Sequence, residues 1–331
     1  MPAPDAERLA HALARALGPV TVGGMRRLSG GASRETWMFD ACDGGGTRHG
    51  LILRRDPGGH RGSTSRATEY DVLVAAHRAG VAAPAPVLLL EPDDDLGDGF
   101  VMRRVEGETI ARKILRDDEY TGARGHLARQ CGEQAARIHA VDTAPLTDEL
   151  PVLGAREQLA QYRGVLDALG EPHAAFELGL RWLDEHVPAD PGNGAALVHG
   201  DFRNGNLVVG EDGLRAVLDW ELAHLGDPVE DLGWLCVKSW RFGVADRPVG
   251  GFGDYATLLD AYASAGGDAV DLAALRYWEA FGTLKWGVIC AMQATLHTSG
   301  TVRSVELAAL GRRVAEMEWD LLVLLDELGH A

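Results

Sequence analysis

Apolar positions along the chain change their spacing near residue 105, and the change divides the sequence into two parts. Before that point short alternating runs dominate. Val22–Leu28, Glu35–Asp40 and His49–Arg54 read as strands, with a turn signal at Asp43–Gly46, and "PAPVLLLEP" and "GFVMRRVEG" read as two more. Helical spacing is confined there to Asp5–Leu17 and Ser65–Ala79, the latter with Tyr70, Leu73, Val74 and His77 on one side. From Ile110 onward, spacing of three to four predicts helices over Thr121–Val141, Ala155–Leu169, His173–Val187, Val229–Val237, Tyr255–Ala265, Asp271–Thr298 and Arg303–Leu328. The expectation is an α+β chain of two lobes. Residues 1–104 form a small antiparallel sheet with one main helix, Val105–Ile110 a glycine-containing hinge, and 111–331 a larger, mostly helical lobe with a β-hairpin insert. The cleft between such lobes is where a ligand is expected.

The insert departs from the pattern in a second way. In "LVHGDFRNGNLVVGEDGLRAVLDWELAHLGDP", Leu197 to Pro228, acids and amides gather at one end of two short apolar runs. If Asp212-Gly213 makes the two-residue turn this dipeptide favours, Val209 faces Ala216, Leu207 faces Leu218, and Asn206 faces Asp219. A longer turn shifts the register but keeps the same ends together. Asn206 and Asp219 then offer a hard cation two oxygen donors, and Mg²⁺ takes one or two carboxylates while phosphate and water complete its shell. Asp201 stands close enough to orient a hydroxyl and accept its proton. Positioning and charge neutralisation are what phosphoryl transfer requires. Singly, each residue also suits a turn or cap. Together, D-x4-N followed 13 residues later by D argues for chemistry.

Composition narrows the partners. The formal charge of −17 argues against a general nucleic-acid or anionic-membrane binder. Cys42, Cys131, Cys236 and Cys290 lie far apart without metal-ligand spacing, which fits a reduced, cytoplasmic protein. The first residues lack the basic start and apolar core of a signal peptide, and no apolar run approaches the ~20 residues that span a bilayer.

"HGDFRNGN…LDWE" resembles the catalytic and metal-binding segments of the aminoglycoside phosphotransferase and choline kinase-like family, relatives of protein kinases, and the resemblance covers nearly the whole chain. It implies a two-lobed protein-kinase-like fold that uses ATP or GTP with Mg²⁺. Asp201 would be the catalytic base, Asn206 and Asp219 the metal ligands, and His199 a support of the loop. In "LSGGASRETWMFD", Gly30, Gly31 and Ser33 would cover the phosphates. Alternation along His49–Arg54 puts Ile52 and Arg54 on one face, where the resemblance places contacts to adenine and phosphates; Glu69 would pair with the basic residue. "LRR" departs from the family's usual lysine and leaves Arg54 and Arg55 both open for that place. Met102 and Val105 either line the adenine edge or belong to the core. "LRR" and "EAFGTLKWGVICAMQA" are similar to the kinase-like domain fused to some acyl-CoA dehydrogenases.

Asp227-Pro228 reads as a helix start, so Asp227 and Asp231 are expected to be structural. Glu221 can reach the metal shell through water or face a basic neighbour. Trp240, Arg241, Trp278 and Lys285 are the candidate acceptor contacts, the last two seven residues apart on one helix face. The implied activity is transfer of the γ-phosphate to a hydroxyl of a small molecule: an aminoglycoside, amino alcohol, sugar or hydroxyacyl-CoA. The alternative is a nucleotide-binding pseudokinase that senses or docks without turnover.

Overall fold

In the computed structural model, residues 3–28, 35–56, 64–189 and 195–329 are described. Helix α1 (Ala6–Leu17) starts where Asp5 accepts the Glu7 and Arg8 backbone N–H groups at 2.9 and 3.1 Å. Strands β1 (Val20–Leu28), β2 (Glu35–Asp43) and β3 (Arg48–Asp56) follow, then α2 (Arg66–Arg78), β4 (Pro86–Leu89) and β5 (Asp98–Arg103). The five strands form one antiparallel sheet in the order β1-β2-β3-β5-β4. Leu51 and Leu53 turn to the face covered by α1, where they pack with Leu9, Leu13, Phe39 and Val101. Helix α2 covers the opposite face. Its buried side is Arg66, Glu69, Val72, Leu73 and Ala76, while His77 is exposed, so the helix is rotated from the side expected through Tyr70, Leu73, Val74 and His77. Ion pairs to Arg66 and Glu69 allow these two charged residues to take the inner face.

The larger lobe comprises α3 (Ala111–Arg116), α4 (Thr121–His139), β6 (Val152–Leu153), α5 (Ala155–Leu169), α6 (Ala174–Glu185), β7 (Ala196–Val198), the hairpin β8 (Leu207–Gly210) and β9 (Gly213–Val217), β10 (His224–Gly226), α7 (Val229–Cys236), α8 (Tyr255–Ser264), α9 (Leu272–Thr298), α10 (Val305–Gly311) and α11 (Val314–Glu327). One apolar core joins α4, α7 and α8 to the hairpin, and a second packs α5 and α6 on α9 and α11. The helix expected over Arg303–Leu328 is two, interrupted at Arg312-Arg313. Strands β6, β10 and β7 form a small sheet that the spacing did not signal, because two or three residues carry no periodicity.

The hairpin register differs from expectation by one or two residues. Leu207 faces Val217 and Val208 faces Ala216; a bulge then brings Val209 to Leu214, and Gly210–Gly213 closes on Glu211-Asp212. Gly213 is a strand residue packed against α4: a Cβ there would lie 2.4 Å from Gln130 Oε1, which accepts the Leu214 N–H at 2.9 Å. Asn206 consequently faces Leu218, whose N–H donates to its carbonyl at 2.8 Å, and Asp219 is the next residue. Among the described residues no helix is long and apolar enough to cross a membrane.

Candidate active site

Strand β7 pairs with β10 and delivers the chain into the loop that begins at His199. His199 is fully buried. Its Nδ1 accepts the Asp201 N–H at 3.1 Å, so the ring proton sits on Nε2 and is donated to the Leu218 carbonyl at 3.0 Å. Burial pushes its pKa down, against the pull of Asp231, Asp201 and Asp219, and the neutral ring ties Asp201 to the residue before Asp219. Gly200 has φ +80°, and a Cβ on it would lie 2.3 Å from the Leu222 carbonyl oxygen, so no larger residue fits this turn. Asp231 of α7 accepts the His199 N–H at 2.7 Å and the Gly200 N–H at 3.0 Å, and meets His139 Nε2 at 3.2 Å. Burial raises its pKa, and His139 together with His199 and its backbone N–H outweighs this and holds it below the ordinary value. Asp227 accepts the Val229 N–H at 2.9 Å at the start of α7. Both acids brace the loop's surroundings, as the sequence implied.

Asp201 accepts three side-chain hydrogen bonds. Trp234 Nε1 and Arg203 Nε each donate to its Oδ1 at 2.8 Å, and Asn206 Nδ2 donates to Oδ2 at 2.6 Å. Because Asn206 spends its nitrogen on Asp201, its Oδ1 is left as an acceptor, and among the described residues nothing donates to it. Asp219 adopts a left-handed backbone, φ 71° and ψ 63°, and its Oδ1 takes Arg54 Nη2 at 2.7 Å. Burial would raise the Asp219 pKa, but the Arg54 guanidinium overrides it and the carboxyl titrates below the usual aspartate range. One amide oxygen and one carboxylate fit Mg²⁺, which expects phosphate and water for the rest. They do not amount to a self-sufficient cage: among the described residues no group of three or more His, Cys, Asp or Glu could hold a metal ion.

Arg54 occupies the small-lobe wall opposite Asp219. Its Nη1 pairs with Glu69 at 3.0 Å, and Nη2 also reaches Glu221 at 3.1 Å. Arg66 fastens this lattice from behind through Glu69 and through Asp56 at 2.9 Å. Arg55 points the other way, to Glu35 at 2.9 Å and the Leu96 carbonyl at 3.2 Å. Period-two alternation therefore resolves the two arginines: Arg54 shares the face of Ile52 and meets Glu69, while Arg55 is behind the sheet. Met102 pairs with Ile52 across β3 and β5, and joins Leu73, Phe100, Arg54, Glu69 and Asp219 around a cavity of about 10 Å³, room for roughly one water. Val105 is half-buried just beyond β5. Gly30, Gly31 and Ser33 lie outside the described residues.

The acceptor candidates are less united. Glu221 faces basic neighbours, Arg54 and, at 4.0 Å, Arg66. Arg241 is held by buried Glu279 at 2.6 Å and by the Cys236 carbonyl. Trp278 is core and donates to Asp227 at 2.9 Å. Lys285 is buried under the loop with Glu230 at 3.2 Å. Trp240 is buried with Arg203 Cζ 4.5 Å above its ring. Offsets of seven on α9 mark one face, and that face is the inward one. Two further residues touch Asp201. Arg203 stands inside the "HGDFRNGN" motif; Trp234 lies one helical turn past Asp231, and that i,i+3 spacing is the signal that places both beneath the loop.

A family model described as the phosphotransferase enzyme family (APH) matches residues 24–278. Acyl-CoA dehydrogenase family member 10 of Mus musculus is 29% identical over 222 residues, 62% of this chain and 20% of that protein. Family member 11 of Gallus gallus is 30% identical over 223 residues, 63% of this chain and 27% of that one. The chain thus spans about a fifth to a quarter of these relatives' length. Among solved structures, a Ralstonia eutropha protein described as an aminoglycoside phosphotransferase superposes with TM-score 0.74 at 22% identity, covering 98% of this chain and 99% of that one. A spectinomycin phosphotransferase in complex with ADP and spectinomycin gives TM-score 0.67 at 14% identity, over 96% and 98% of the two chains. Both likenesses bear out the two-lobed kinase-like fold.

Proposed function

Since the chain belongs to the phosphotransferase enzyme family, we propose that it is an ATP-dependent small-molecule kinase with Asp201 as its base. The observation that carries this is the hydrogen bonding of Asp201: two donors fix Oδ1, and Asn206 bridges Oδ2 to the strand end next to Asp219. The acceptor hydroxyl gives its proton to Asp201 as its oxygen bonds the γ-phosphorus, and the bond from that phosphorus to the bridging oxygen breaks, releasing ADP. Asn206 Oδ1 and the Asp219 carboxylate would hold Mg²⁺, which neutralises phosphate charge when bound. Arg54, poised between Glu69 and Asp219, would turn to the phosphates, and Ile52, Met102 and Val105 would border the base. ADP bound in the spectinomycin phosphotransferase supports the choice of nucleotide.

The surroundings of Asp201 also bear on the acceptor. The indole faces of Trp240 and Trp234 already carry the protein's own cations, Arg203 at 4.5 Å and Lys285 at 4.8 Å. A quaternary ammonium or aminoglycoside amine finds no open aromatic face on either ring. The terminal nitrogens of Arg203 donate no hydrogen bond among the described residues, which suits a neutral or anionic hydroxylated acceptor. The test is ADP release from Mg·ATP across sugars, hydroxyacyl-CoAs, amino alcohols and aminoglycosides, with Asp201→Asn beside the wild type. Acceptor-dependent ADP that falls about 100- to 10,000-fold in Asp201→Asn is expected; undiminished turnover in that variant removes Asp201 from the role. A second reading, a nucleotide-binding module without turnover, is favoured by arginine in place of the usual lysine. It requires a Mg·ATP-dependent rise in melting temperature and no ADP release with any acceptor.

A further inference from the structure

The large lobe buries a charge that the proposed reaction does not use. Lys285 is 6% exposed on α9, and an isolated ammonium at such a site is strongly unfavourable. Its partner Glu230, 3% exposed, is shared with His224 Nε2 at 3.1 Å and Gln158 Nε2 at 2.6 Å. Burial raises the Glu230 pKa, but Lys285 and His224 overcome it and bring the carboxyl down to about 2. Buried ion pairs of this kind are seldom the cheapest way to fill a core. The placement of the other contacts supplies a reason. The ammonium lies 3.4 Å from the Gly200 carbonyl oxygen and 4.8 Å from the centre of the Trp234 ring. Gly200 is the chain neighbour of Asp201, and Trp234 is its 2.8 Å hydrogen-bond donor.

We propose that Lys285 and Trp234 act together as positioning residues for Asp201: the ammonium holds the Gly200 carbonyl and the indole face, and the indole N–H fixes Oδ1. The inference rests on Asp201 being the base. It gives Lys285 a different place from the acceptor contact its sequence position suggested. A cation on one face of the indole withdraws electron density and strengthens the N–H at the ring edge as a donor. With two donors on Oδ1, Oδ2, which accepts only Asn206 Nδ2, keeps a lone pair to meet an incoming hydroxyl. Glu230, fastened by Gln158 and His224, keeps the ammonium from following the loop.

Three variants separate positioning from mere support. Trp234→Phe keeps an aromatic ring but removes the donor; Lys285→Met with Glu230→Gln removes both charges without orphaning either; Lys285→Arg restores the cation. Acceptor-dependent kcat is expected to fall about 10- to 100-fold in the first two, with KM for Mg·ATP within about twofold and the melting temperature nearly unchanged, and to recover in part with Lys285→Arg. Combining Trp234→Phe with the charge-free pair should add little, because both break one linkage. Unchanged kcat in Trp234→Phe, or losses that multiply in the combination, overturn the proposal. So do losses that follow KM and melting temperature. A readout without turnover separates this idea from the kinase reading: the Trp234 indole N–H resonance is expected downfield and slow to exchange in the wild type, and should move upfield in the charge-free pair. An unmoved resonance overturns the linkage whether or not the protein is a kinase, whereas activity retained in Asp201→Asn overturns the base assignment, and with it the positioning role, but leaves the linkage itself standing.

Discussion

The two walls of the cleft are held by different means. On the small-lobe side Arg54, Arg66, Glu69, Asp56 and Glu221 form a lattice of long charged side chains, and Arg54 reaches across to Asp219. On the large-lobe side Asp201 is fixed by a tryptophan, an asparagine, a nearby arginine and a loop whose His199 and Gly200 N–H groups end on one buried aspartate. The first wall can exchange partners, because a guanidinium with three carboxylates loses little by trading one. The second cannot at its base, since Asp231 is fully buried and the His199 and Gly200 N–H groups it accepts would be left without a replacement. The difference teaches that, under the proposed mechanism, the base would be set before any ligand arrives, whereas the carboxylate offered to a metal would be released to it only when Arg54 moves.

The contrast can be broken most severely at Asp231. Asp231→Ala strands two backbone N–H groups and should cost roughly 3–5 kcal/mol in chemical denaturation, with loss of turnover. Arg54→Met attacks the other wall and should affect binding far more than folding. Freed of Arg54, Asp219 together with Asn206 should gain affinity for Mg²⁺ alone, so that magnesium without nucleotide raises the melting temperature more than in the wild type, while the KM for ATP rises about 10-fold or more. An equal magnesium response in both proteins would mean that Arg54 does not compete for Asp219. Gly107→Ala tests the joint between the walls: at φ 155° a Cβ would lie 2.7 Å from Val208 Cγ1 and 2.8 Å from the Val209 carbonyl oxygen, a strain of about 1–3 kcal/mol in a denaturation curve.

The smallest effect is that of pH. The folded Asp219 pKa is depressed, so the stabilisation from its pairing is fully present above the ordinary aspartate value of 3.8 and is lost as pH falls below it. The stability difference between wild type and Asp219→Asn should therefore shrink between about pH 5 and about pH 3. A difference that grows on acidification contradicts the sign.

Most of this architecture was legible in the sequence. Helix spans such as Ala155–Leu169 agree to the residue because apolar spacing over four turns leaves one solution. The hairpin ends were legible but not the register: an Asp-Gly pair signals a turn, yet Gln130, 84 residues away from Leu214, claims the strand residue instead. Arg54 and Arg55 were inseparable by type and were separated only by strand alternation together with their partners Glu69 and Glu35. Lys285 and Arg241 suggested ligand contacts because each is a basic residue near aromatic helix positions; what the sequence could not show is that buried acids from distant elements, Glu230 and Glu279, pair with them. Sequence shows a charge but not the counter-charge that folding will bring to it.

The segment that joins the two walls carries a final consequence. Glu108 exchanges both backbone hydrogen bonds with Val209 of the hairpin, at 2.8 and 3.0 Å, immediately after Gly107. The linker is thereby stapled to the strand that continues from Asn206, and any rotation of one lobe against the other would pivot beside that staple. Displacement grows with distance from a pivot. The side of the cleft next to the linker would keep its width through an opening stroke, while the far edge of the small lobe sweeps the longest arc. Such a jaw would admit a long ligand from its free edge and still grip the end held near the pivot.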